Sequence, residues 1–243
     1  MSLDAFLHEM HRRGVKLWVE GDRLRYQAPR DALTSDLLEQ MRNHKSSLLQ
    51  HLRDGNGESL CPTSYGQRAL WFVHRLSPDS AAYNYAFTAR IRSEIDAEAI
   101  RRVFQTLVDR HAILRTTYTL CDGEPFQRIH AKSTVSFRLT EAAGWTDDEL
   151  TRRIEQEARR SFDLEKGPVF RVDLFRRSRR DYVLLMNTHH IAMDFQSLNV
   201  LAEELRLLYA AEIRGRAASL SEMPVQYADY ACWQCEMVNK PSG

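Results

Sequence analysis

The residues of this chain best suited to chemistry are two adjacent histidines, His189 and His190, with Asp194 a few positions later in the run NTHHIAMDFQSL. Imidazole has an unperturbed pKa near neutrality, so a suitably placed histidine can take or relay a proton from an attacking amine or alcohol. Such general-base assistance is typically worth about 10²- to 10⁴-fold in rate. The trio points to acyl transfer, although a packed histidine or a metal site would fit the same residues.

A short apolar strand is predicted to carry these histidines. Residues 182–186 are Tyr, Val, Leu, Leu and Met, between a charged cluster at 176–181 and polar residues 187–188, which suits a buried strand better than a helix. Successive side chains on a strand point to opposite faces, so we expect one histidine to serve chemistry and the other to pack. Asp194 lies too close to the chain reversal for a direct bond to His190 to be assumed. A buried carboxylate could instead pair with an arginine and hold the shape of the loop, so we assign Asp194 a structural role first.

A metal site is the weaker interpretation. A metal needs three or four convergent ligands, and the other ligand-like spacing, that of Cys232 and Cys235, is remote in sequence and lacks a second pair. These two cysteines are expected to share one helix face as thiols. With Cys61 and Cys121 they do not form a disulfide framework in a chain of this length. No metal ligand is predicted.

The composition is that of an ordinary globular protein, with 43% hydrophobic residues in 243, enough for one large domain or two smaller ones. Lys and Arg total 34 against 33 for Asp and Glu, and the net charge of +1 gives no electrostatic case for nucleic acid or a membrane surface. No apolar stretch reaches the roughly 20 residues needed to span a bilayer. The amino terminus MSLDAFLHEM lacks the features of a secretion signal, so we expect a cytoplasmic protein.

Residues 1–53 are predicted to form a small unit in the order helix, hairpin, helix, helix (α-β-β-α-α). Residues 15–27 alternate between apolar and polar side chains on both sides of a turn, which predicts the hairpin. Thr34 or Ser35 can cap the first of the following helices, and Asn43 can cap the second. The apolar face of the amino-terminal helix consists of Leu3, Phe6, Leu7 and Met10.

Trp18 is the suggestive residue of this unit, because it either covers the helices or stays partly exposed beside a hairpin edge that can accept a partner's strand. A unit of about fifty residues has little core to spare, so dimerisation or a partner would help to stabilise it. The polar, glycine-bearing residues 54–60 are predicted to be a linker.

The run GVKLWVEGDRLRYQAPRDALTSDLLEQMRNHKSSLL resembles the tubulysin-type (TubC-like) amino-terminal docking domain of nonribosomal peptide synthetases. The resemblance implies a homodimeric unit that binds the carboxy-terminal tail of the preceding synthetase subunit. The hairpin at residues 15–28 would be the binding edge, with Lys16, Arg23 and Arg25 available to acidic residues of the tail, next to Trp18. Such surface charge pairs set partner choice more than affinity.

Residues 61–243 alternate between strand-like and helix-like segments, which predicts an α/β sandwich. Helices are expected after Asp96, after a capping box formed by Thr146 and Glu149, and from Ser197 onward. The fold class is therefore a two-module α+β and α/β chain. Strands are predicted at residues 85–92, 114–120, 125–130, 168–175 and 182–188.

Five segments of the second module occur in the order found in condensation domains of nonribosomal peptide synthetases. Each string alone is a weak signal. Together, across residues 62–234 and behind a docking unit of the same assembly lines, they make the resemblance specific. The strings are PTSYGQRALWFVHRL, RHAILRTTY, FDLEKGPVFRV, HHIAMD and VQYADYACWQ.

This resemblance implies a lobe similar to chloramphenicol acetyltransferase, two of which form a V around a tunnel. Upstream and downstream carrier proteins would deliver substrates on 4'-phosphopantetheine to the two mouths, and no cofactor is expected on this chain itself. The downstream amine attacks the upstream thioester and yields an amide. Within the catalytic motif, the resemblance credits His190 with positioning or deprotonating the amine and gives His189 and Asp194 mainly structural roles.

Two departures from the family pattern affect these expectations. Phe195 stands where the family usually has glycine, which predicts a reshaped channel; it suggests a ketide-type acyl donor or, equally, wall packing. The residues after the linker suffice for one lobe only, so the chain is expected to hold the first lobe and to be inactive by itself. Arg68 and Arg115 are expected to form salt bridges.

Other functions remain open at this point. The main alternative is a non-catalytic docking fragment that recognises the upstream subunit. An acyltransferase that uses coenzyme A thioesters is disfavoured by the docking unit and the companion motifs. Heterocyclisation and epimerisation domains are less expected, because the former usually replace the histidines with aspartate and the latter do not follow such a docking unit.

Overall fold

The computed structural model describes residues 6–7, 9–10, 13–20, 23–28, 32–53, 59–121 and 123–239. Its helices and strands form two groups, one before residue 54 and one after residue 58, and each group has hydrophobic clusters of its own. None of the described helices combines the length and the apolar character needed to cross a membrane.

The first group is a hairpin followed by two helices, as predicted. The two strands pair antiparallel with Trp18 opposite Arg25. Thr34 caps the next helix, because its hydroxyl oxygen accepts a hydrogen bond from the Leu37 N–H at 3.4 Å. The elements are β1 (Lys16–Glu20), β2 (Arg23–Gln27), α1 (Ser35–Asn43) and α2 (Lys45–Arg53).

The core of this group joins the amino-terminal segment to the helices. Phe6 and Met10 are completely buried and pack in one cluster with Leu37 and Leu48. Leu3, which was predicted to share their helical face, lies outside the described residues. The side chains predicted to contact the partner tail, those of Lys16, Trp18, Arg23 and Arg25, also lie outside the described part of the chain.

The second group alternates strands and helices, and the predicted caps at Asp96 and Thr146 are both present. Its strands are β3 (Ser59–Pro62), β4 (Asn84–Ile91), β5 (Thr116–Cys121), β6 (Glu124–Ile129), β7 (Ser136–Glu141), β8 (Phe170–Ser178) and β9 (Asp181–His189). Its helices are α3 (Tyr65–Leu76), α4 (Ala97–Arg110), a 3-10 helix (Ala112–Arg115), α5 (Asp147–Ala158), α6 (Phe195–Glu212) and α7 (Tyr227–Asn239).

The larger sheet has the strand order β4-β9-β8-β7, in which β7 and β8 run parallel and the other neighbours antiparallel. Side chains alternate along the buried strand β9. Tyr182, Leu184 and Met186 share a hydrophobic cluster with residues of α4 and α6. Val183 and Leu185 share another cluster with residues of α5. The sheet is therefore sandwiched between helices, which confirms the predicted α/β sandwich.

The smaller sheet, of strand order β3-β6-β5, packs against the residues that follow β9. Tyr118 of β5 and Trp71 of α3 are completely buried, with ring centroids 6.2 Å apart. They belong to one hydrophobic cluster with Ile191 and Ala192, which directly follow the two histidines. The loop after β9 is thus packed against a second layer of the fold.

Two predicted boundaries differ from the structure. The strand predicted from residue 114 begins at Thr116, because the preceding residues form the 3-10 helix; short apolar runs do not distinguish a helical turn from a strand. Strand β3 begins at Ser59, inside the stretch predicted as linker, and pairs with β6. Residues 54–58 lie outside the described part.

Candidate active site

The two histidines stand at the end of β9, the strand that pairs with β4. His189 lies opposite Asn84 in the strand register, and the His190 N–H donates to the Tyr83 carbonyl at 2.8 Å. Because cross-strand neighbours share a face of the sheet, Tyr85, opposite Thr188, falls on the face of His190. The two imidazoles therefore occupy different surroundings, as strand alternation requires.

His189 is a buried histidine, 3% exposed, enclosed by aromatic rings. Its ring centroid lies 5.9 Å from that of His74 and 6.3 Å from those of Tyr83 and Phe162. Burial lowers its pKa to about 4, with smaller contributions from the nearby His74 and His190. At neutral pH the ring is uncharged, and its Nδ1 accepts the Ile191 N–H at 3.1 Å.

His190 is half-buried and carries its proton on Nδ1, whereas His189 carries its proton on Nε2. Its Nδ1 lies 3.1 Å from the Met193 carbonyl oxygen. Because a carbonyl can only accept, Nδ1 must donate, which leaves the lone pair of the neutral ring on Nε2. The adjacent histidines thus hold opposite tautomers, and Nε2 of His190 is the atom able to accept a proton.

Tyr85 is the described side chain that touches this nitrogen, and sequence reasoning did not single it out. Its ring lies 4.5 Å from the His190 ring, and its hydroxyl lies 3.5 Å from Nε2. That distance is long for an O–H···N hydrogen bond, so the hydroxyl does not tie up the lone pair. The available signal was the strand alternation of residues 84–91, which places Tyr85 on one face without showing which residue it meets.

Asp194 caps α6 and does not form the arginine pair by which a buried carboxylate could have held the loop. Its Oδ1 accepts the Ser197 N–H at 2.8 Å and the Ser197 hydroxyl at 2.6 Å, and the Asp194 N–H donates to the Ser197 hydroxyl oxygen at 3.5 Å, which completes a capping box. These bonds lower the pKa of Asp194 and keep it ionised at neutral pH. The residue is exposed, and no described arginine pairs with it. Helix α6 consequently begins at Phe195 and not at the predicted Ser197.

Replacement of Asp194 by alanine is therefore expected to lower the free energy of unfolding by about 1 kcal/mol, the usual contribution of an N-cap side chain. Asp194→Asn should retain most of the stability, because the amide oxygen can accept the same N–H. Urea unfolding of the chain measures both. Thr146→Ala, which removes the matching cap of α5, is the control and should cost a similar amount. A loss above about 3 kcal/mol for Asp194→Ala would instead indicate a buried ion pair.

The remaining predicted residues have surface or packing contacts. Arg68 forms the expected salt bridge, with Glu124 at 2.7 Å. Arg115 forms no ion pair with a described residue; its Nε donates to the Ala131 carbonyl at 3.4 Å, and burial lowers its pKa. Phe195, at the first position of α6, is 65% exposed.

The structure brings no metal site together among the residues it describes: nowhere in them do three His, Cys, Asp or Glu side chains converge suitably. Cys232 and Cys235 lie three positions apart on α7, and Cys235 Sγ lies 3.7 Å from the Thr63 carbonyl oxygen. The chemical capacity of the site thus rests on one half-buried imidazole with an available lone pair.

Two protein-family models match this chain. The model described as "Condensation domain" matches residues 58–242, and the model described as "TubC N-terminal docking domain" matches residues 3–54. Together they cover both groups of elements in the fold.

Among curated proteins, one of the linear gramicidin synthase polypeptides of Brevibacillus parabrevis is 42% identical over 177 residues, which are 71% of this chain and 2% of that protein. The dimodular nonribosomal peptide synthase of Bacillus subtilis (strain 168) is 38% identical over 179 residues, which are 73% of this chain and 7% of that protein. The chain therefore spans only a small part of the length of these relatives.

Among solved structures, the X-domain in complex with OxyB from teicoplanin biosynthesis superposes with a TM-score of 0.68 at 28% identity, over 74% of this chain and 38% of that chain. The starter condensation domain of rhizomide synthetase has the same fold, with a TM-score of 0.68 at 19% identity, over 75% of this chain and 44% of that chain.

Proposed function

This chain belongs to the condensation-domain family of nonribosomal peptide synthetases and carries a TubC-type docking domain ahead of that domain, and on this premise we propose that it serves in amide-bond formation on a peptide or hybrid polyketide/peptide assembly line. The donor is an acyl or peptidyl thioester on an upstream carrier protein. The acceptor is an aminoacyl thioester on a downstream carrier protein. Both are held on 4'-phosphopantetheine of the carriers.

The observation that carries this proposal is the available Nε2 of His190. As the acceptor nitrogen bonds to the thioester carbonyl carbon, Nε2 can take the proton that the amine loses. The tetrahedral intermediate then breaks its C–S bond, and the departing thiolate recovers the proton from the imidazolium. His189 and Asp194 support this chemistry indirectly, the first by filling the interior beneath the loop and the second by starting α6.

Holding two substrates together supplies part of the rate as well, because proximity alone can be worth roughly 7 to 11 kcal/mol.

The proposal is tested by single-turnover amide formation between loaded donor and acceptor carriers, in a module that contains both condensation lobes. Transfer of the donor acyl group to the acceptor amine supports it, and hydrolysis of the donor without transfer contradicts it.

The docking domain supports a second proposed function, recognition of the carboxy-terminal tail of the preceding subunit. The hairpin of β1 and β2 places Lys16, Arg23 and Arg25 on two paired strands. Its core among the described residues is small, with eight buried hydrophobic side chains, so association with a tail or a second copy would add to it. A chain that docks but does not support transfer would fit the non-catalytic alternative.

We expect the replacement of Arg23 and Arg25 together by glutamate to weaken binding of the upstream tail at least about tenfold, because glutamates would face acidic residues of the tail, and juxtaposed like charges are costly even where the original charge pairs add little affinity. Titration of the chain with a synthetic peptide of the upstream carboxy terminus measures this effect. Wild-type binding should also weaken with added salt, since exposed charges are screened.

The double variant Arg42→Glu, Lys45→Glu is the matched control, because it changes the net charge by as much as the hairpin variant and both residues are exposed on α1 and α2, outside the hairpin. It should leave the affinity nearly unchanged. Equal losses from the hairpin and control variants would indicate a general charge effect and contradict a tail site on the hairpin.

A further inference from the structure

A buried polar network centres on Gln67 of α3 and contacts the histidine loop, which is residues 190–194 between β9 and α6. Gln67 is 2% exposed. Its Nε2 lies 2.9 Å from the Tyr118 hydroxyl, 3.1 Å from Gln127 Oε1 and 3.3 Å from the Ile191 carbonyl oxygen. The Tyr118 hydroxyl also donates to that carbonyl, at 3.3 Å. One Gln67 N–H donates to Gln127 and the other is shared between the Tyr118 and Ile191 oxygens, so the Ile191 carbonyl is held by two side chains from other elements.

The orientation of the Gln67 amide is fixed by its other end. The Ser64 N–H donates to Gln67 Oε1 at 3.1 Å as part of the capping box of α3. A reversed amide would place its oxygen against two acceptors and its NH2 against the Ser64 N–H. Loss of such a buried group leaves its partners unsatisfied, at a cost of roughly 1–3 kcal/mol each.

The tautomer of His190 is defined by the hydrogen bond between its Nδ1 and the Met193 carbonyl oxygen. Ile191 lies between these two residues in the sequence. The chain turns tightly here, because the Ala192 N–H donates to the His189 carbonyl at 2.9 Å. Two residues after Ile191, the Met193 carbonyl accepts the Nδ1–H of His190. If the 191–192 peptide were free to rotate, the position of the Met193 carbonyl would change with it.

We propose that Gln67, assisted by Tyr118, is a positioning residue for His190: by holding the Ile191 carbonyl it fixes the Met193 carbonyl and so keeps the His190 lone pair on Nε2. Its importance for rate rests on the function proposed above. Its effect on the tautomer does not, and can be measured on this chain alone. The substitution Gln67→Met keeps a similar side-chain volume and removes the amide.

The first measurement is 15N NMR of the imidazoles at a pH where they are neutral, with the His190 signals identified by their loss in His190→Ala. The wild-type chain should show Nδ1–H for His190, and Gln67→Met should shift its two ring nitrogens toward the averaged values of mixed tautomers. Gln105→Met is the matched control, because Gln105 bridges Ser133 O and Val135 N with its amide and does not contact the histidine loop. A folded Gln67→Met chain with the wild-type His190 tautomer would overturn the proposal.

The second measurement is amide formation in a module with both lobes. We expect Gln67→Met to lower kcat about tenfold with KM changed less than about twofold, since small misplacement of a catalytic group is costly. In a His190→Ala background the same substitution should have almost no further effect. An undiminished loss in that background would show a general structural role and overturn the proposal.

If Gln67→Met does not fold, the same two measurements are made on Tyr118→Phe. It removes one donor to Ile191 and leaves the direct Gln67 bond, so a smaller change in the same direction is expected, about two- to threefold in kcat. A wild-type tautomer and rate in Tyr118→Phe would then count against the proposal. An unchanged rate in His190→Ala would instead contradict the proposed function, whatever the tautomer.

Discussion

Replacing His190 by alanine is expected to lower the single-turnover rate of amide formation at least about tenfold. The substitution removes the one described imidazole whose lone pair is available at the strand end, at Nε2. It should change the stability of the chain little, because the ring is half-buried and makes a single side-chain bond of ordinary length, to Met193. Rapid-quench measurement of amide product between pre-loaded carriers, in a module with both lobes, gives the rate directly.

The size of the loss decides what His190 does. A loss of about 10²-fold or more is the range of a general base, whereas about tenfold fits a residue that mainly orients the amine. His130→Ala is the control: His130 is a half-buried histidine that bonds Thr117 on the smaller sheet, outside the histidine loop. It should leave the rate intact. An equal rate for wild type and His190→Ala would remove His190 from the mechanism.

The sequence is a good guide to this fold wherever the deciding contacts are local. Asp96 and Thr146 cap their helices through bonds to residues two or three positions away, and strand alternation alone separates His189 from His190. The motifs of the second module also place the histidine pair at the end of its strand, where the structure has it. Short-range patterns and family resemblance therefore predict where the two histidines lie.

The parts that escape prediction depend on long-range contacts. The bond between Gln67 and Ile191 joins positions 124 residues apart, and no spacing rule connects them. Asp194 illustrates a different difficulty: a carboxylate near a chain reversal can pair with an arginine or cap a helix, and the structure shows the cap. Which histidine is enclosed likewise depends on Phe162 and His74, which come from other elements.

Opposite tautomers on adjacent histidines follow from these contacts. The Ile191 N–H requires an acceptor at His189 Nδ1, and the Met193 carbonyl requires a donor at His190 Nδ1. One short loop thus keeps the neutral His189 ring inside the protein and leaves the lone pair of His190 on Nε2. Because the His189 ring is enclosed and uncharged, its protonation at low pH is expected to destabilise the folded chain.

The chain is expected to lose about 3 kcal/mol of unfolding free energy as pH falls from about 6.5 to about 4, through His189 alone. In the unfolded chain this ring takes a proton near pH 6.5, whereas in the folded protein burial lowers its pKa to about 4. Between these values the unfolded state binds more protons, so stability falls with falling pH. The stabilisation is complete above pH 6.5, and this contribution does not change further below about pH 4.

The measurement is urea unfolding across this pH range for wild type and for His189→Gln, which cannot titrate and keeps an acceptor for the Ile191 N–H. His74, whose pKa burial also lowers, faces the ring and lies near Asp163, Glu165 and Arg75. Because His74 and the carboxylates titrate in both proteins, the difference between the two curves isolates His189. The wild type should start more stable at neutral pH and converge toward the variant as pH approaches 4. Parallel curves would show that His189 takes up its proton at the same pH in the folded and unfolded states, and that result would contradict an enclosed, neutral His189.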